Sequence, residues 1–191
     1  MFSIPPLAPW NGLHPLVVHF PIALILVTPL LVLLALVWKK QTLPLLIAGA
    51  LLMVLAAAAA WVATSTGDAA EHFAEQVPGA KPILEEHSEL GEAARNFATA
   101  LAAVLLVAAG AFWKWGGKIP RAVVLGAGAV YLIANGAAAL VVANAAHEGG
   151  RLVHEIGVRA HMTAGAAPAA ANPAIPSGGR TDGHERGEKG D

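Results

Sequence analysis

The sequence predicts an all-α fold: an integral membrane, up-down four-helix bundle followed by a disordered C-terminal tail. Three observations predict it. Of 191 residues, 56% are hydrophobic and only 13% charged, with a mean hydropathy of +0.59, where an ordinary soluble domain carries about 25% charge. So few charges cannot cover the surface of a small water-soluble domain, which leaves the bilayer as its solvent. Four apolar stretches each approach the roughly 20 residues that carry a helix across about 30 Å of hydrocarbon. Beyond residue 162 the composition turns to Gly, Ala and Pro and then to Gly and charges without apolar periodicity, which is the signature of a segment that does not fold.

The membrane domain accordingly covers residues 1–162. Its first span is 16–38, in which Pro21 and Pro29 withdraw N–H donors from the carbonyls of Val17 and Ile25 and should bend the helix. The second, 43–63, follows after four residues, so the two form an antiparallel hairpin. The third, 93–113, belongs to a helix expected to start outside the membrane. Lys81-Pro82 places proline in a first turn, and Glu85 and Glu86 complement the helix dipole. The fourth, 122–146, is reached through the short turn 114–121 and should stop at Gly149-Gly150.

Charge gives this bundle a direction. The short turns hold Lys39, Lys40, Lys114, Lys118 and Arg121 with no acid, whereas 64–95 holds seven acids, from Asp68 to Glu92, against Lys81 and Arg95. The positive-inside rule places the short turns in the cytoplasm, and both termini and the acidic connector on the periplasmic side of an inner membrane. Trp38, Trp113 and Trp115 fall at the inner boundary and Trp10 and Trp61 near the outer one, as interfacial aromatic belts require. No basic segment precedes the first span, so no cleaved signal peptide is expected. A net charge of -1 excludes a nucleic-acid partner, which needs a clustered basic excess. With no Cys in the chain, disulfides, thiolate nucleophiles and iron–sulfur ligation are excluded too, and metal chemistry must rest on His and carboxylates.

The eight His carry the functional signal. None lies in a cytoplasmic turn, and six converge on the outer side: His14 and His19 at the start of the first helix, His72, His87, and His147 and His154 after the fourth span. His87 falls on the stripe Leu84, His87, Gly91, Ala94, Ala98, Leu101 and Leu105, whose steps of three and four face the bundle. His19 sits in an apolar run one turn into the helix, where a buried imidazole must donate to one group and accept from or ligate another. His14, before Pro15, is expected to be extended and to cap the helix. It lies about 140° around the helix from His19, so the two cannot act as an i, i+4 metal pair. Small residues in the second and fourth spans, 56–60 with Gly126, Gly128 and Gly136, provide either close packing or room for a flat macrocycle. Asn135 and Asn144 are read as interhelical hydrogen-bond partners.

The run His14-Pro15-Leu16-Val17-Val18-His19-Phe20-Pro21-Ile22 resembles the opening signature of an uncharacterised family of small bacterial four-helix membrane proteins, a domain of unknown function. Thr66-Gly67-Asp68, Glu86-His87 and His147-Glu148-Gly149-Gly150-Arg151-Leu152-Val153 resemble its later elements, and the likeness spans residues 12–158. The family pattern continues after the double glycine with Tyr and His-Gly-Val. This chain departs from it with Val153-His154-Glu155-Ile156-Gly157-Val158. The resemblance implies no fixed activity. Members sometimes fused to cytochrome c-like or rubredoxin-like domains point to electron transfer, an association rather than a mechanism.

The functional expectation is a membrane electron-transfer module, a redox carrier or accessory subunit rather than a stand-alone enzyme, that holds b-type haem near the outer face. Its axial imidazoles would come from different helices, His19 with His87 or His147, with His14 also a candidate, and Arg95 or Arg151 would pair with the propionates. The alternative is a copper or zinc site on His14, His19, His87 and His147, completed by Glu86, Asp68 or Glu148. A third reading is a non-catalytic subunit that docks a periplasmic cytochrome or other redox protein through the acidic connector. Hydrolytic motifs are absent from the sequence. No charge lies in the inner halves of the spans for a proton relay.

Overall fold

Proline marks where the helices begin. The computed structural model describes residues 7–160, so the tail, with His161 and His184, lies outside the described residues. Within them the chain forms α1 (His14–Val17), α2 (His19–Val37), α3 (Thr42–Ala74), α4 (Lys81–Trp115) and α5 (Arg121–His154). Pro15, Pro21, Pro44 and Pro82 fall in the first turns of α1 to α4, and Pro120 is the N-cap of α5. At Pro15, Pro44, Pro82 and Pro120 the missing N–H is one that no helical carbonyl would have used.

Four segments, His14–Val37, Lys39–Ala74, Lys81–Lys118 and Arg121–His154, are long and apolar enough to cross a membrane, and the protein is an all-α membrane bundle. Each helix touches its neighbours in a closed ring, α2 with α3, α3 with α4, α4 with α5 and α5 with α2. Side chains on the outside of that ring are large and apolar, among them Leu30, Leu55, Val107 and Ile133, as a lipid-facing surface demands. The core between the helices contains Ile25, Val32, Met53, Leu105, Tyr131 and Ala138.

Two prolines within the first span behave differently. At Pro21 the break is visible, because Val18 alone separates α1 from α2. Pro29 lies inside α2 without interrupting it. The carbonyl it leaves without a helical donor is that of Ile25, and Asn135 of α5 donates Nδ2–H to that oxygen at 3.1 Å. The interhelical role expected of Asn135 thus has a cause in the sequence of another helix. Asn144 instead bonds its own helix at Leu140.

One end of the bundle, the basic end, holds the two short turns. There Thr42 donates Oγ1–H to the carbonyls of Ala35 and Lys39 at 3.0 and 3.1 Å, and Arg121 bonds the Leu36 carbonyl. The other, the histidine end, holds the α3–α4 connection and the start of α1. Three helices run further in this direction than the apolar runs indicate. α3 continues eleven residues past Ala63, and α5 continues through Gly149-Gly150 to His154. The expected stop at the double glycine is therefore wrong. The stop is Gly157, at φ +84°, where the amides of Ile156 and Val158 fold back onto the carbonyls of Arg151 and Leu152. At 35 residues, α4 is about 52 Å long at 1.5 Å per residue. A second apolar cluster of Ala74, Ala80, Ile83, Leu84 and Leu152, with Val77, Ile156 and Val158 against it, closes this extended end.

Candidate functional site

Helices crossing with small residues between them leave space wherever no large side chain fills it, and at the histidine end that space is a cavity of about 470 Å³. Its volume is within the range of about 300–1,000 Å³ typical of cofactor and drug-sized ligand sites. All four spans line it: Ile22 and Ile25, Ala60 and Ala63, Gly91 and Ala94, Val142 and Ala145. The wall is chiefly apolar, and three histidines interrupt it: His14, His19 and His87.

Two of these form a pair. The ring centroids of His14 and His87 are 5.9 Å apart with their planes at 87°. His14 Nδ1 is 2.8 Å from the Ala63 carbonyl of α3, and His87 Nδ1 is 2.8 Å from the Ala145 carbonyl of α5. A carbonyl oxygen can only accept, so in each neutral ring Nδ1 carries the proton and Nε2 keeps its lone pair. That is the state in which an imidazole ligates a metal, with its other nitrogen fixed by a backbone oxygen. Each ring lies against a glycine of the helix it bonds, His14 on Gly67 and His87 on Gly149.

The remaining sequence candidates divide. His14 opens α1 in helical conformation and makes no cap. The restriction before Pro15 gives way because Pro15 is itself in a first turn, and the imidazole is taken up by α3. His19 borders the cavity but is exposed rather than buried, because the start of α2 presents that face outward. His147 does not line the cavity. Its side chain is 71% exposed and 4.0 Å from Glu148. The two histidines in ring contact are His14 and His87, whereas the pairs expected from sequence were His19 with His87 or His147. His72 and His154 are exposed on α3 and α5.

Among the cations, Arg95 lies on the cavity wall, 4.3 Å from the Trp61 ring and 3.7 Å from Glu92. Arg151 is held away, bonded to Glu148 at 2.7 Å and to Glu155 at 3.1 Å. Its place on the cavity wall is taken by Arg159, which follows the reversal at Gly157. Sequence reasoning passed over Arg159 because it follows the expected end of the helix; the glycine two residues before it was the signal that the chain turns back. The small residues divide in the same way: Ala56 and Ala57 are buried in the core, Ala60 borders the cavity, and Gly126 and Gly136 face open space. Among the described residues no three of His, Asp and Glu converge closely enough to hold a metal ion.

Residues 11–162 match the family model described as "Predicted membrane protein (DUF2231)", and the chain belongs to that family. Neither the curated proteins nor the solved structures gave a match to it.

Proposed function

We propose that this family member is a membrane electron-transfer module that holds b-type haem between His14 and His87. The observation that carries the reading is the pair itself: two imidazoles from different helices, each with Nδ1 tied to a backbone carbonyl, 5.9 Å apart on the wall of an apolar cavity. His14 and His87 would hold the group, each through the Nε2 that its backbone bond leaves with a lone pair. The donor set fits as well. Haem iron needs only two axial protein ligands, whereas zinc takes three or four, and no such group converges here. The copper or zinc alternative therefore has less support.

When bound, the haem supplies one-electron chemistry at a potential set by its axial ligands and surroundings. The chain does the rest. The carbonyls of Ala63 and Ala145 orient the imidazoles and raise their basicity. Arg95 and Arg159 offer planar donors to carboxylates at the cavity wall. Ile22, Ile25 and Val142 keep water from the reacting centre.

In this reading the basic end faces the cytoplasm by the positive-inside rule. The histidine end and both termini then face the periplasm from the inner membrane. The acids at this end, among them Asp68 on α3, Glu75 just past it, and Glu85 and Glu89 on α4, would receive a redox partner with a positive face, such as a periplasmic cytochrome.

A reduced-minus-oxidised spectrum of protein purified from haem-replete cells tests the proposal. Bis-imidazole haem bands are expected in the wild type and in His147→Ala, and their loss in His14→Ala and in His87→Ala. A wild-type preparation without porphyrin overturns it. If such a preparation still binds the partner after both substitutions, the protein is a docking subunit instead.

A further inference from the structure

The two hairpins of the bundle, α1–α2 with α3 and α4 with α5, share no obvious sequence, yet they place a histidine in the same way. In the first, His14 from the leading helix bonds the carbonyl of Ala63 at 2.8 Å. Four residues further along that helix, Gly67 lies under the ring, where an added Cβ would be 3.2 Å from Cε1 and Nδ1. In the second, His87 bonds the carbonyl of Ala145 at 2.8 Å, and four residues on, Gly149 lies under the ring, where a Cβ would be 3.0 Å from Cε1 and 3.3 Å from Nδ1. A buried polar residue precedes each glycine, Thr66 in one and Glu148 in the other. Both hairpins enter from the histidine end, turn at the basic end and return, so the units are parallel repeats about an axis along the membrane normal.

We infer that the site is built from two equivalent half-sites, each a histidine laid on a helix-borne glycine, and that Gly67 and Gly149 are the positioning residues that set the two imidazoles as Nδ1–H tautomers facing one shared cavity. The glycines are needed for a physical reason. Gly91, Gly126 and Gly136 lie in helices with nothing within 4 Å of an added Cβ, whereas Gly67 and Gly149 each meet one close side-chain contact. That contact is the ring, which reaches the i carbonyl only by lying across the i+4 position, where a methyl group would displace it. With Nδ1 fixed on the carbonyl, Nε2 keeps its lone pair and stays beside the glycine, 3.9 Å from an added Cβ at Gly67 and 3.7 Å from one at Gly149. Each half therefore contributes one lone pair, and neither hairpin alone contains the site. The inference rests on the haem reading only for the identity of the group between the rings.

The experiment measures ring-nitrogen NMR shifts of the full-length protein, isotope-labelled at histidine, without added ligand, and then its spectrum with haem. His14 and His87 are expected as Nδ1–H tautomers in the wild type. Gly67→Ala should change the His14 signals alone and Gly149→Ala the His87 signals alone. Gly136→Ala, on α5 away from the cavity and where an added Cβ meets nothing within 4 Å, should change neither. With haem, each of the first two substitutions should weaken binding at least tenfold and by similar factors, while Gly136→Ala binds as the wild type does. Nε2–H tautomers in the wild type, or ring signals unmoved by the two alanines, overturn the inference. Correct tautomers and selective shifts in a protein that takes up no haem would uphold the half-sites and remove the haem.

Discussion

At the basic end the four helices meet through side chains that fill the space between them, whereas at the histidine end the same helices stay in contact but enclose a cavity. Both regions are rich in alanine and glycine, so small residues alone do not distinguish them. Gly49, in the first region, is surrounded at ordinary contact distance by Thr28, Leu31 and Leu105. Gly91, in the second, has nothing within 4 Å of a would-be Cβ. Smallness permits close approach where a large neighbour is present, and makes room where the neighbouring helices are equally bare. The basic end is stabilised by van der Waals packing, the main attraction between helices in lipid. At the histidine end part of that attraction is replaced by a few directed bonds, among them those from His14 and His87.

The largest expected effect comes from removing the difference. Gly91→Phe places an aromatic ring in the cavity, whereas Gly136→Phe adds one on α5 where a Cβ also meets nothing within 4 Å but which does not border the cavity. Titrated haem absorbance should show more than a tenfold loss of binding for the first and none for the second. Equal losses would mean that the comparison between the two regions has been drawn in the wrong place.

A smaller effect, on stability, is expected at the basic end. Arg121 makes a charge-assisted bond to the Leu36 carbonyl, one of the oxygens left over at the end of α2. Arg121→Gln should destabilise the bundle by about 1–2 kcal/mol, read as a shift in the unfolding midpoint in mixed detergent. Four basic residues remain in the turns, so the orientation should survive, and haem binding at the opposite end should not change.

How far these regions were legible from sequence follows the same division. The spans, the two tight hairpins and the start of α4 ahead of its apolar run were legible because long apolar runs, charged turns and Lys81-Pro82 are local signals. The extension of α3 past its apolar run was not, because residues 64–74 contain no apolar run. Its signal was the spacing of Ala63, Thr66 and Ala74, all buried. At Gly149-Gly150 the rule that glycine ends helices competed with the need for a ring to approach a backbone, and the second prevailed. The His14–His87 pair joins positions whose carbonyl partners are 49 and 58 residues away. No helical periodicity reports on such a distance. His87 was legible from its stripe, His19 was misjudged as buried, and His14 was assigned to its own helix end because nothing local pointed to α3.

Between the regions lies the bond from Asn135 to the carbonyl of Ile25, itself part of the cavity wall. If Pro29 is the reason that carbonyl needs a partner, Asn135→Leu should cost more with Pro29 present than with Pro29→Ala, which returns a helical donor. A double-mutant cycle should give a coupling of about 0.6–1.5 kcal/mol. Additive effects would separate the proline from the asparagine and leave the floor of the cavity without this account.

The smallest effect concerns Arg95, which belongs to the boundary of both regions. Its guanidinium is 4.3 Å from the centroid of Trp61, and Trp61 donates Nε1–H to Thr99 at 3.3 Å while Thr99 bonds back to the Arg95 carbonyl at 2.8 Å. Trp61 is exposed, so the cation–π contact is worth about 0.5–1 kcal/mol, and Trp61→Leu should lower stability by about that amount. The more informative readout is haem binding. If Arg95 serves a ligand carboxylate, losing the aromatic platform should weaken binding by a factor of two or three, through a less restrained side chain, while Arg95→Gln weakens it further. If Arg95 only ties α4 to α3, both substitutions should lower stability together and leave binding unchanged, and the carboxylate role would pass to Arg159 alone.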